Sequence, residues 1–336
     1  MDLFGDNFRK WWQYPRPTGD RSVHRTVTFL ELFYDLIYVV VIARLAHHLA
    51  GHVDWSGFLG YLFLFFIVWW SWFNGMSYHD IHGNDDIRTR VFTFLQMICV
   101  AGMAVFAHDA LGETASQFSI AYGLFQLTLW YLWWRVGVHD PVHRVLSRPY
   151  SAGFFVATVL FLVAAFVPAE VRWYLWGASI VISFLLPAYL FSIGRNNPVA
   201  QTELDKMMIV SPSMVERFGL LTIIVLGEVV VGAVSGLAGH HHFTVEVGII
   251  GLLGILVAVG LLINQVDSGS DAHDAVHRRG RNALVGSAVA TAIVGLLPLS
   301  PIPTLLLIVL FLLAPIYFAV SVWVERYDEV AASEGH

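Results

Sequence analysis

The chain has 336 residues, of which 57% are hydrophobic and 13% are charged, and its formal net charge is −6. Soluble domains average about 45–50% apolar and about 25% charged residues, so this composition excludes an ordinary soluble protein and predicts a polytopic membrane protein. The single cysteine, Cys99, excludes an internal disulfide framework. The net charge says little, because charge is segregated by loop, and we expect no nucleic-acid partner.

The first 26 residues are polar and charged, with scattered aromatic side chains. They lack the apolar core of a cleavable signal peptide. We expect residues 1–26 to form a cytoplasmic N-terminal segment, which either lies along the membrane surface or forms a flexible tail.

Hydropathy predicts ten membrane-spanning helices between residues 27 and 326, followed by a cytoplasmic tail at 327–336. The predicted fold is therefore an all-α transmembrane helix bundle. The spans cover residues 27–48, 57–76, 91–110, 117–136, 151–168, 172–193, 214–236, 245–266, 283–299 and 303–324.

The lysines and arginines of the loops predict the orientation of the bundle. Cytoplasmic loops of membrane proteins carry an excess of these residues. With the N-terminus inside, the outer loops contain only Arg172. Both termini are thus predicted to be cytoplasmic, and Trp69, Trp70 and Trp72 then fall at the inner interface, where aromatic belts form.

A weak internal repeat accompanies these spans. A shift of 185 residues superposes Glu31 on Glu216 and Phe33 on Phe218. This relates helices 1–4 (about 27–136) to helices 7–10 (about 214–324) in parallel orientation, with linking helices at about 151–193. Chance similarity between apolar helices is the alternative explanation.

Charged residues within the first and seventh spans are the main candidates for a functional site. Glu31 and Asp35 are four residues apart and share a helix face, while the seventh span carries Glu216, Arg217 and Glu228. Acids inside a membrane are costly unless they are neutral, paired or facing water, so they are a hypothesis for substrate or ion binding. A purely structural network is the alternative.

Two arginines could compensate these acids. Arg44 lies toward the outer end of the first span and could pair with Glu228, or it could extend to the outer interface instead. Arg217 is most simply a residue of the cytoplasmic interface that neutralises Glu31 or Glu216.

The loop after the second span contains acids and histidines that we expect to form a cytoplasmic rim. Asp85 and Asp86 suit the N-terminus of the third helix, and Arg90 could pair with Asp86. Asp267, after the eighth span, could mirror the acidic pair of Asp85 and Asp86. Histidine pairs in the inner loops are weak metal-ligand candidates, with no metal site assigned. They are His79 with His82 and His273 with His277.

Three sequence blocks resemble the bacterial low temperature requirement A (LtrA) family. They are VTFLELFYDLIYVVVIARLAHHL, WWSWFNGMSYHDIHGNDDIRTRVFTFLQM and ERFGLLTIIVLGEVVVG. The resemblance implies a multi-pass protein of the bacterial plasma membrane and adds Tyr78 to the rim candidates. The eighth and ninth spans depart from the family pattern: Gln265 and Val266 precede Asp267, and the ninth span has no histidine. The family name implies a growth phenotype in the cold and not a reaction.

No P-loop, G-x-S-x-G, HExxH or dinucleotide motif is present, so the sequence favours a non-enzymatic protein and implies no cofactor. The buried acids favour a secondary transporter or proton-linked permease for a small molecule or ion. The alternative is a membrane-embedded enzyme or sensor for a lipid or amphipathic ligand at the cytoplasmic rim. Glycine-rich faces permit a homodimer in the bilayer.

Overall fold

The computed structural model describes residues 11–18, 27–51, 54–208 and 211–238. Over this part of the chain the protein is helical, with one 3₁₀ turn at Ala107–Asp109 and no strand. The helices are α1 (Phe29–Gly51), α2 (Trp55–His82), α3 (Ile87–Phe106), α4 (Ala115–His139), α5 (Arg144–Ala164), α6 (Ala169–Asn196), α7 (Pro198–Met208) and α8 (Pro212–Ala238).

Four helices are long and apolar enough to cross a membrane: α2, α3 with its 3₁₀ turn, α5 and α6. This confirms the all-helical class and the membrane character of the chain. Helices α1, α4 and α8 coincide with the predicted first, fourth and seventh spans. The last three spans lie outside the described residues, so the count of ten, the side of the termini and the repeat stay predictions.

The distribution of polarity differs from that in a soluble protein. Asp35, Gln96 and Gln126 are buried, whereas Phe33 and Ile98 are 52% and 68% exposed. Polar groups in a bilayer must find partners within the protein, while apolar side chains can face lipid at no cost. The described helices therefore bury polar side chains among the apolar residues of their core and also present apolar surfaces outward.

Close helix contacts depend on small residues. The most extensive packing is between α4 and α5, where a Cβ on Gly123 would come within 2.8 Å of Leu162. A Cβ on Gly75 of α2 would collide with the hydroxyl of Tyr34 on α1. Small residues let helix backbones approach closely in membranes, and here they bring α1 against the polar part of α2.

Helix α2 is longer than its predicted span of 57–76. It begins after Asp54, whose side chain accepts a hydrogen bond from the Gly57 N–H, and ends at the C-cap Gly83. His79 and His82, predicted to lie in a loop, are therefore on a helix, and both are buried. That prediction was wrong because the polar residues after 76 face the protein interior and let the helix continue.

Helix α7 was not predicted. Asn197 precedes it, and the Asn197 side chain accepts hydrogen bonds from the N–H groups of Val199 and Ala200. Pro198 occupies the first helical position, which proline favours. An Asn-Pro start was a visible signal, but the segment is too short and polar to register as a span.

The chain divides into two compact units, residues 1–221 and 222–336. The first unit contains α1 to α7 and the N-terminal part of α8. Within the second unit the structure describes residues 222–238, which continue α8.

Candidate functional site

The site begins at the N-terminus of α1, where Thr28 and Glu31 cap the helix reciprocally. Glu31 Oε2 accepts hydrogen bonds from the Thr28 N–H (2.9 Å) and hydroxyl (3.0 Å). The Glu31 N–H donates to Thr28 Oγ1 at 3.3 Å. This is a capping box, in which a threonine and a glutamate three residues later satisfy the first free N–H groups of a helix. It fixes Glu31 near the helix entrance.

One turn further along α1, Asp35 is completely buried, and both of its carboxylate oxygens accept hydrogen bonds. Arg217 of α8 donates from Nε to Oδ2 (3.0 Å) and from Nη2 to Oδ1 (2.5 Å). Trp72 of α2 donates from Nε1 to the same Oδ1 at 2.7 Å. Two-point contacts between arginine and carboxylate are among the strongest hydrogen bonds in proteins. Asp35 thus joins three helices through one carboxylate.

Arg217 also interacts with two other side chains of α1. Its Nη1 lies 3.9 Å from Glu31 Oε1, and its guanidinium lies 5.6 Å from the centre of the Tyr34 ring. We refer to Glu31, Tyr34, Asp35, Trp72 and Arg217 as the charged centre. All five belong to the first compact unit.

The partners of two of these residues differ from the prediction. Arg217 is 3% exposed, and its main partner is Asp35, although its contact with Glu31 agrees with the predicted pairing. Trp72 does not face an interface, since it is 1% exposed and donates to Asp35. Asp35 cannot be buried without donors, so the folded chain brings the nearest cation and indole N–H to it.

A chain of hydroxyl groups extends from the charged centre between α1 and α2. The Tyr38 hydroxyl lies 3.3 Å from the Tyr34 hydroxyl and 3.3 Å from the Ser71 hydroxyl. All three residues are buried, and the Ser71 hydroxyl also donates to the Val68 carbonyl. Hydroxyl groups both donate and accept, so such a row is chemically suited to relaying a proton.

A cavity of about 740 Å³ opens onto the charged centre. Arg217, Glu31 and Tyr34 line it, together with rim residues. The charged side chains among its described lining residues are three arginines and two acids: Arg16, Arg90, Arg217, Glu31 and Asp85. A molecule in this cavity would contact the same guanidinium that holds Asp35.

The rim acids Asp85 and Asp86 have different partners. Asp86 is the N-cap of α3: its Oδ1 accepts hydrogen bonds from the Thr89 N–H (3.0 Å) and hydroxyl (2.6 Å), which confirms its predicted capping. Arg90 pairs with Asp85 at 2.8 Å and not with Asp86, contrary to the prediction. Because Asp86 is buried and directed at the helix start, Arg90 turns outward to the exposed Asp85.

The rim histidines form hydrogen bonds within the protein. His79 Nε2 lies 3.0 Å from the Gln96 side-chain oxygen, and His82 Nδ1 donates to the Arg16 carbonyl at 2.8 Å. Tyr78 is buried, with its ring edge-on to Trp133. Within the described ranges no group of three or more metal-ligating side chains converges. Asp267, His273 and His277 lie outside those ranges.

A second polar cluster, which the sequence did not suggest, holds α7 against the start of α5. His143 Nδ1 lies 2.9 Å from Glu203 Oε2 and 2.9 Å from the Thr18 hydroxyl. Lys206 donates to the other Glu203 oxygen at 2.6 Å. Burial lowers the pKa of His143. Burial raises the pKa of Glu203, but the hydrogen bonds from Lys206 and His143 outweigh burial, so the pKa lies below its ordinary value.

The remaining candidates are not gathered at the charged centre by any described contact. Glu216 and Arg44 are exposed. Glu228 is half-buried and belongs to the second compact unit, so the predicted pair of Arg44 and Glu228 stays a prediction.

Comparison with known proteins gives one family match and one relative. A family model described as "Bacterial low temperature requirement A protein (LtrA)" matches residues 26–292. An uncharacterized protein of Rhizobium meliloti (strain 1021) is 23% identical over 220 residues, which cover 65% of this chain and 51% of that protein. The chain therefore matches about half the length of this relative. No solved structure matches the chain significantly.

Proposed function

The chain belongs to the bacterial low temperature requirement A (LtrA) family, and we propose that this integral membrane protein is a secondary transporter or proton-linked permease. The observation that carries the proposal is the position of Arg217. It is bonded to the buried Asp35 and also lines the 740 Å³ cavity. A substrate in the cavity would compete with Asp35 for the guanidinium.

This competition supplies a means of coupling. A buried carboxylate that loses its cationic partner is strongly destabilised in the charged form and takes up a proton. An anion that draws Arg217 toward the cavity would therefore leave Asp35 to bind a proton. Substrate and proton would then cross the membrane together, as proton-coupled cotransport requires.

The charge of the cavity favours an anionic substrate. Among the described lining residues Arg90 and Asp85 pair with each other, which leaves Arg16 and Arg217 beside the single acid Glu31. Arginine suits carboxylate and phosphate groups because its donors match their geometry. We therefore propose a small carboxylate or phosphate compound as the substrate class.

The other candidate acids take supporting roles in this proposal. Glu31 and Glu216 form a cytoplasmic relay, Glu228 is a second proton- or cation-binding residue, and Arg44 compensates charge. Replacing Glu228 with Gln should abolish coupled uptake and leave the protein folded. Normal coupled uptake by that variant would remove Glu228 from the mechanism.

The transport proposal can be tested in proteoliposomes that contain a trapped pH-sensitive dye. Acetate, succinate and inorganic phosphate are added outside under an imposed pH gradient, and proton entry is recorded with uptake of the labelled anion. The double variant Asp35→Asn/Arg217→Gln removes both charges and leaves neither one unpaired. We expect it to lose proton entry coupled to the anion, while Arg195→Gln, which replaces an exposed residue outside the cavity lining, retains the wild-type rate. Equal coupled transport by wild type and double variant would contradict the proposal.

A second candidate function has one observation in its favour. The same cavity carries exposed Phe29 and Phe94 beside the arginines, as an amphipathic ligand would require. A membrane-embedded enzyme or sensor for a lipid-like ligand would use the rim around His79 and Asp85. If this second function depends on a metal, elemental analysis of the purified protein should find a stoichiometric metal ion. Absence of such a metal would contradict a metal-dependent enzyme or sensor.

A further inference from the structure

The cytoplasmic ends of α4 and α5, as predicted from the loop charges, enclose a second cavity of about 580 Å³ that the transport proposal does not use. Arg144, Arg148 and Ser147 line one part of it, while Trp130, Trp134 and Phe155 line another. None of the described residues that line it is acidic. The cavity therefore combines positive charge with an aromatic surface.

The two arginines have charge available for a ligand. Arg144 donates from Nε to the Gly137 carbonyl at 2.8 Å, which fixes its guanidinium across the end of α4. Arg148 is exposed. Within the described part of the chain neither arginine has a carboxylate partner. Two uncompensated guanidinium groups at the start of one helix form a site for a phosphate group.

A third polar group lies at the cavity wall. The Ser147 side chain is completely buried, and its hydroxyl has no hydrogen-bond partner among the described residues. A buried hydroxyl without a partner costs free energy, so its presence beside two arginines points to a ligand that supplies an acceptor oxygen.

The charges and the aromatic side chains are arranged along the helix axis. Phe155 follows Arg148 by about 10 Å along α5, at a rise of about 1.5 Å per residue. Helix α5 is a candidate membrane span that begins at Arg144. The arginines thus lie where the span starts, and the aromatic groups lie where hydrocarbon is expected. This order matches that of headgroup and acyl chain in a phospholipid.

We propose that this groove is a binding site for an anionic membrane phospholipid. The phosphodiester contacts Arg144, Arg148 and the Ser147 hydroxyl, and an acyl chain lies along Trp130, Trp134 and Phe155. Basic pockets between membrane helices commonly bind anionic headgroups, whereas a zwitterionic lipid brings its own cation to the site.

Native mass spectrometry of the purified protein tests this site directly. The protein is mixed with equal amounts of phosphatidylglycerol and phosphatidylcholine that carry the same acyl chains. We expect wild type to retain phosphatidylglycerol preferentially and Arg148→Gln to lower that retention about fivefold, as is typical for one basic residue at an anionic surface. Arg195→Gln is the matched control, because Arg195 is also exposed near the end of a span but does not line the cavity.

Arg148 is exposed without a described partner, so its replacement should leave the fold intact. Ser147→Ala provides a second variant, which we expect to lower retention to a smaller extent. Equal retention of the two lipids by wild type would overturn the proposal, as would unchanged retention in Arg148→Gln. Displacement of phosphatidylglycerol by inorganic phosphate would overturn it in favour of a free-anion site, and a dimer occupying the groove without lipid would identify it as an interface between copies.

Discussion

Arg217 and Asp35, 182 residues apart in sequence, form a two-point ion pair that ties α8 to α1. Both side chains are almost completely buried. The attraction between two such charges is offset by the cost of removing them from water, so their pairing is weak evidence for stability. Removing one partner is a different matter, because it leaves an uncompensated charge in the interior.

We therefore expect strong coupling between these residues in a double-mutant cycle. Asp35→Asn and Arg217→Gln should each lower the free energy of unfolding by about 3–5 kcal/mol. The double variant should be much less destabilised than the sum of the two, because no charge remains unpaired. Denaturant unfolding of the purified protein in detergent measures all three, with the exposed Glu216→Gln as the control. Additive effects would mean that the pair is not a unit.

Glu31 offers a way to separate capping from charge. Glutamine can also serve in a capping box, so Glu31→Gln should leave stability nearly unchanged, while Glu31→Ala should cost about 1 kcal/mol. If the carboxylate takes part in a proton relay, Glu31→Gln should still lose proton-coupled uptake. Melting temperature and dye-reported proton entry, measured on the same two variants, distinguish these effects. Full coupling in Glu31→Gln would restrict Glu31 to capping the helix.

For Asp35 the sequence predicts burial but does not predict the partner. An acid inside an apolar helix indicates a buried polar site, and that much follows from hydropathy. The identity of its partner does not, because Arg217 stands beside Glu216 and only the rotation of α8 decides which of the two faces α1. The sequence therefore predicts Glu31 or Glu216, and not Asp35, as the partner of Arg217.

The same limit applies to Trp72 and to α7. Hydropathy places a tryptophan near a helix end in an aromatic belt, and it carries no information on which of Trp69, Trp70 and Trp72 faces inward. Helix α7 is amphipathic and short, so it is invisible to a search for spans although Asn197 and Pro198 mark its start. Span positions depend on composition, whereas partners depend on tertiary packing.

The hydrogen bond from Trp72 to Asp35 should be measurable by itself. The Trp72 ring packs edge-on against Phe218, with 4.9 Å between the ring centroids. Trp72→Phe keeps an aromatic ring in this position and removes the N–H donor. We expect a loss of about 1 kcal/mol, since single hydrogen bonds within membrane proteins average about 0.6 kcal/mol and this one has a charged acceptor. Trp70→Phe is the control, because Trp70 packs on Phe66 and Phe73 without a described bond to an acid. Equal losses in both variants would indicate that only ring volume matters.

The contact between His143 and Glu203 predicts a pH dependence for the docking of α7. Burial lowers the pKa of His143 below 6.5, its ordinary value, so on acidification the unfolded segment takes up a proton before the docked one does. The pKa of Glu203 is also lowered, so its contribution is lost as the pH falls through the folded-state value. For both groups the unfolded state binds more protons, and stability must fall as the pH decreases.

Hydrogen exchange of the amides of α7 should therefore accelerate below a pH of about 6.5, after correction for the intrinsic rate, while the amides of α4 remain protected. His143→Gln cannot take up this proton, so the first part of the acceleration should be absent and the later part, which reflects Glu203, should remain. Lys206→Gln removes a hydrogen bond that lowers the pKa of Glu203, so the difference between its unfolded and folded pKa shrinks and this later part should become smaller. Protection of α7 that is constant from neutral to acidic pH would show that the His143 contact does not hold this helix in place.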